Sequence, residues 1–194
     1  MKSYLLIITV FFLIAVQTFA QIKRPVELDK NEKYCDSSQR EGRFDRINLW
    51  VLDGSPKAVT KKGEVVRIYF PENFYIEGVN GNKYAKGYLE NNTLENIEIS
   101  RIDSTIDYVQ EYFFINGKWI VAQENGKSEC GNSYFKENLK SKNKIEFQLS
   151  ISDLVYGDIK VPFKISVIVN GKIIESNVIE VNLYEAQIKN LLKS

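Results

Sequence analysis

Every second residue of KIEFQLSIS, residues 144–152, is apolar. Ile145, Phe147, Leu149 and Ile151 fall on one side; Lys144, Glu146, Gln148 and Ser150 fall on the other. A pleated strand sends successive side chains to opposite faces, so this period of two predicts a sheet with one buried and one wet face. It is incompatible with a helix, whose apolar stripe repeats every 3.6 residues. VPFKISVIV repeats the pattern with Val161, Phe163, Ile165, Val167 and Val169, and Ile179, Val181 and Leu183 repeat it near the end. LENIEISRI sets Ile97 and Ile99 against Glu98 and Ser100. Upstream, INLWVL, EVVRIYF and NFYIE are short β-branched and aromatic runs, separated by DGSPK, PEN and GVNGNK, which are turn vocabulary.

Asn-Gly pairs stand between several of these runs. Both central residues of a type I′ turn need positive φ, which Asn and Gly tolerate, so the pairs predict tight hairpins. Asn116-Gly117, Asn125-Gly126 and Asn170-Gly171 form Asn-Gly-Lys triplets; Asn80-Gly81 is a fourth candidate turn. The triplets are turn chemistry, and their unlike flanks do not mark a repeat. Helical signal is thin. YEAQIKNLLKS places Ile188, Leu191 and Leu192 at i, i+3 and i+4, which predicts one short C-terminal helix.

The expected fold is therefore all-β, an antiparallel β-sandwich with a short C-terminal helix. Residues 143–183 run as an alternating strand, a corner at SDLVYGD and a long hairpin. That stretch resembles immunoglobulin-like architecture. It lacks the inter-sheet cysteine pair and core Trp of that fold, so the resemblance transfers no function.

MKSYLLIITVFFLIAVQTFA opens with Lys2, continues in an apolar run from Tyr4 to Val16 and ends in Thr18-Phe19-Ala20. This is the layout of a secretory signal peptide, 1–20, cleaved after Ala20. The run is shorter than the roughly 20 residues a membrane span needs, and no later segment is apolar enough to span a bilayer, so no transmembrane segment is expected after cleavage. A polar arm, 21–43, follows, read as mobile, and then a single all-β domain, 44–194. The expected location is secreted or periplasmic.

Cys35 and Cys130 are the only cysteines. In an oxidising compartment an even pair forms a disulfide, here closing a long loop worth about 4–5 kcal/mol in the chain-entropy account.

The chain carries 26 basic and 25 acidic residues; loss of Lys2 with the leader equalises them. Such a chain has no global field to draw in nucleic acid. It has no histidine at all. That removes Ser-His-Asp and Cys-His catalysis and His-ligated zinc, and two cysteines cannot build a four-thiolate site. No phosphate-cradling or calcium-loop motif is present. The expectation is no enzyme, no cofactor and no metal. Asp103 and Asp107, and Asp153 and Asp158, are the carboxylates that a glycosidase reading would need in a pair. They read instead as turn and surface residues.

Aromatic side chains carry the binding expectation. Tyr75, Tyr84 and Tyr88 crowd FYIEGVNGNKYAKGYLE, where Gly78, Gly81 and Gly87 break up a clean strand pattern, and Trp119 follows a hairpin turn, where it pairs with Phe114 or Ile115. Trp50 is the other tryptophan. Tyr75, Tyr84, Tyr88 and Trp119 are the candidate ligand-contact residues, for a partner that is a protein or a polysaccharide. Three readings follow: a non-catalytic exported interaction module, a carbohydrate-binding or carbohydrate-active protein, and an inhibitor of an exported enzyme with a rigid loop around Cys130.

Overall fold

The computed structural model describes residues 41–44, 47–52, 57–58, 65–78, 81–124 and 133–193. The leader, most of the polar arm, Cys35, Cys130, Asn125-Gly126 and Asn80 lie outside the described residues. Within them run β1 (Leu49–Val51), β2 (Lys57–Ala58), β3 (Val66–Tyr69), β4 (Tyr75–Glu77), β5 (Lys83–Asn91), β6 (Ile97–Ile102) and β7 (Thr105–Ile106). β8 (Gln110–Ile115), β9 (Lys118–Glu124), β10 (Tyr134–Leu139), β11 (Asn143–Ser150), β12 (Ile159–Val169), β13 (Lys172–Glu175) and β14 (Ile179–Leu183) follow, and α1 (Glu185–Leu191) closes the chain. Every strand pairing is antiparallel. The all-β expectation with one short C-terminal helix holds.

The ladders join into one continuous sheet in the order β3-β5-β11-β1-β7-β6-β12-β8-β9, with β2, β4, β10, β13 and β14 attached at its sides. The sheet folds over a single apolar core. Phe147 of β11 meets Phe70 edge-on at 5.9 Å, and Phe163 of β12 packs on Phe113 of β8 at 5.1 Å. The alternating residues of β11, β12 and β14 all supply this core, as their period of two requires.

β12 carries the topology. Along one edge it pairs first with β14, from Ile159 to Phe163, then with β13, from Ser166 to Val169. Along the other it pairs with β8 and, at Val169, with β6. Pairing with β8 starts at Phe163, one residue past Pro162, which has no N–H to donate. Between β13 and β14 the chain steps out of the ladder, and Ser176 keeps Ile165 satisfied. Ile165 N donates to Ser176 Oγ (3.1 Å), and Ser176 N donates to Ile165 O (2.8 Å). The next residue, Asn177, accepts from Phe70 N (2.8 Å) and donates to Phe70 O (3.0 Å). One side-chain amide thus imitates a peptide group and joins the β12–β14 region to the end of β3.

The turn expectations hold where they are described. Asn116-Gly117 has φ of 52° and 79°, and Asn170-Gly171 has 49° and 71°, the positive pair of a type I′ turn. Gly81, with φ of 86°, turns β4 into β5.

Three local expectations need correction. In α1, Leu191 is buried and Ile188 packs on the core, but Leu192 lies past the last helical turn and is exposed. The face opposite the core is not uniformly wet: Gln148 is 1% exposed, on a mid-sheet strand where Trp50 and Lys86 flank it in the neighbouring ladders. The polar arm is bound at its end. Asn190 Nδ2 donates to Gly42 O (2.9 Å), Gln187 Nε2 to Arg43 O (3.2 Å), and Phe44 stacks on Phe113 at 5.6 Å.

Candidate functional site: an outward aromatic strip

The hairpin β8–β9 brings Phe114 opposite Trp119. In a two-residue hairpin the pair flanking the turn, Ile115 and Lys118, is the hydrogen-bonded one, so the next pair is the close-approach kind. Phe114 and Trp119 rings lie 5.2 Å apart, tilted by 57°. Both are exposed on the outer face, at 38% and 36%. The register between β8 and β12 puts exposed Pro162 next to Phe114, completing a row Trp119–Phe114–Pro162.

A second row runs Val121–Tyr112–Lys164. Val121 is exposed. Lys164 is central: its ammonium sits 4.6 Å from the Trp119 ring and 5.4 Å from the Tyr112 ring, and 2.6 Å from Glu175 Oε2. Two ring faces and a carboxylate hold one cation in place, and the lysine stem fills the space between the aromatics. A third row, Gln110–Ser166–Glu175, is polar. Tyr112 Oη donates to Gln110 Oε1 at 2.7 Å and lies 3.3 Å from Ser166 Oγ. Farther along the same face Ile168 opposes Ile173, both exposed. The result is two apolar zones on an open sheet face, with a neutralised ion pair and hydroxyls between them.

The four candidate aromatics do not gather in one place. Trp119 belongs to the strip. Tyr84 is buried, 2% exposed, and takes no part in any surface site. Tyr75 is exposed on β4, with Lys83 Nζ 6.0 Å from its ring and 2.7 Å from Glu77. Tyr88 is half-buried on β5, 5.5 Å from Tyr69, with Lys144 4.4 Å from its ring. Beside that pair the buried Glu90 takes both oxygens to Arg67 Nη2 (2.9 and 3.0 Å) and accepts from Tyr69 Oη (3.4 Å). Burial first, and then the Glu90 charge, hold the Tyr69 phenol above its ordinary value of 10.0. Trp50 is half-buried on β1.

Phe114 was legible as the cross-turn neighbour of Trp119. Tyr112 and Lys164 were not singled out, although each occupies an outward position of its alternating strand; only the β8–β12 register brings them together.

Of the carboxylates, Asp103 and Asp158 are exposed, Asp103 in the β6–β7 turn with φ of 49°, while Asp107 and Asp153 are buried. Asp107 Oδ1 accepts from Tyr108 N (2.7 Å). Among the described residues no group of three His, Cys, Asp or Glu side chains is placed to hold a metal ion, and no helix is long and apolar enough to cross a membrane. Compared with known protein families and with curated proteins, the chain matches none, so the reading of this site rests on its own residues.

Proposed function

We propose that this chain is an exported, non-catalytic interaction module, secreted or periplasmic, that uses a sandwich-like scaffold to present the β8–β9–β12 face to a protein partner. The observation that carries the reading is the exposed Trp119–Phe114 pair, extended by Pro162 and Val121 around the held cation of Lys164. Tryptophan and tyrosine rings with restricted rotamers anchor interfaces at low ordering cost. The leader-like first 20 residues support export, and the absence of histidine removes the commonest acid–base group near neutral pH. The 57° tilt between the rings favours a protein over a sugar, since stacked sugars prefer coplanar platforms.

A photo-crosslinking amino acid at position 119 or 114, in the exported protein within its own envelope fraction, tests this. One discrete crosslinked protein is expected from both positions and none from exposed Tyr108. Trp119→Ala with Phe114→Ala should abolish competition for that partner while moving the unfolding midpoint little. Equal crosslinking from Tyr108, or competition unaffected by the double substitution, would sink the proposal; a polysaccharide that competes away the crosslink would reassign the face to sugars.

A further inference from the structure

β13 shows its residues to two sides. Ile173 and Glu175 belong to the outward face, but Lys172 and Ile174 line a hollow of about 520 Å³. The hollow lies between the start of β3, the β5–β6 loop and the β12–β13 turn. Its floor is buried Ile97 and Val169; Val66 and Ile174 are half-buried walls. Val65 and Leu94 form the rim and are 51% and 70% exposed, so two apolar side chains stand together at the mouth of an apolar hollow. The volume is that of an ordinary small-molecule site.

The loop wall is held from behind. Asn91, fully buried, donates through Nδ2 to Glu95 O (2.8 Å) and Leu139 O (3.0 Å), and its Oδ1 accepts from Thr93 N (3.1 Å) and Thr93 Oγ1 (2.6 Å). Ser141 N donates to Asn96 Oδ1 (3.0 Å), and Glu98 N to Asn170 Oδ1 (3.1 Å). The Asn96 and Asn170 amide oxygens and the Thr93 hydroxyl are therefore committed to the fold. Two charged groups are not: Lys172 on one bank and Glu95 on the other have no ion-pair partner among the described residues.

We propose that this hollow binds a small amphipathic monocarboxylate, its apolar body against Ile97, Val169 and Ile174 and its carboxylate on the Lys172 ammonium. Glu95, across the hollow, repels a second anionic end and so selects against dicarboxylates. The preformed walls mean little ordering on binding. This site stands apart from the aromatic strip and does not depend on it.

Decanoate, decan-1-ol, decylamine and decanedioate, each below its aggregation concentration, are the probes for titration of the purified protein by amide NMR. Decanoate should give saturable shifts centred on Val66, Ile97, Val169 and Ile174, and bind more tightly than decylamine or decanedioate. Lys172→Gln should weaken decanoate about tenfold, the worth of one charge-assisted contact, and leave decan-1-ol unchanged. Leu94→Ser, at an exposed position, should weaken both, and Trp119→Ala neither. No saturation, shifts centred on the strip, or equal binding of carboxylate and amine would overturn the assignment.

Discussion

Gly87 lies in the interior of β5, directly opposite Phe147. A Cβ added there would stand 2.2 Å from Phe147 Cζ, so the bare backbone is the seat for that ring. As a sequence feature the glycine looks like punctuation that breaks a strand; in the sheet it is a strand residue matched to an aromatic neighbour. Gly87→Ala should therefore lower stability by about 1–3 kcal/mol through overpacking, despite the better strand propensity of alanine. A lower denaturant midpoint at unchanged m-value is the expected result; an unchanged midpoint would mean the ring moves freely aside. Gln148 teaches a related lesson. Its place on the polar side of an alternating strand was legible, but its burial depends on how many strands flank β11, which no local pattern encodes.

At the scale of elements, alternation in β11, β12 and β14 told which residues face inward, because that information is local. Turn chemistry told where β8 reverses into β9 and β12 into β13. Which strands lie side by side was not readable. The register that places Lys164 between Tyr112 and Trp119 depends on β12 choosing β8, a pairing across some fifty residues. Nor does sequence show that Asn177, in an irregular step, spans to Phe70. Asn177→Ala should leave Phe70 N and O without their partner and cost about 1–2 kcal/mol. Amide exchange should quicken at Phe70 and neighbouring β3 residues and stay unchanged in β8. Exchange that quickened equally throughout would show that the amide supports the whole molecule and not this one junction.

For the whole molecule, the sheet interleaves early and late segments: β1 is flanked by β7 and β11, and β5 by β3 and β11. Such non-local pairing slows folding, because loop entropy is lost before contacts repay it. Refolding after dilution from denaturant should take milliseconds to seconds, and a chain ending before β11 should show no cooperative unfolding transition. A truncated chain with a sharp transition would contradict that.

The junctions of β12 imply an order of events during synthesis. The strand that joins four neighbours, β6, β8, β13 and β14, is among the last to be made, so the sheet cannot close until then. A polypeptide that must pass a narrow channel unfolded benefits from such lateness. The export we propose would find its cargo still pliable, and folding would begin once the final quarter had crossed.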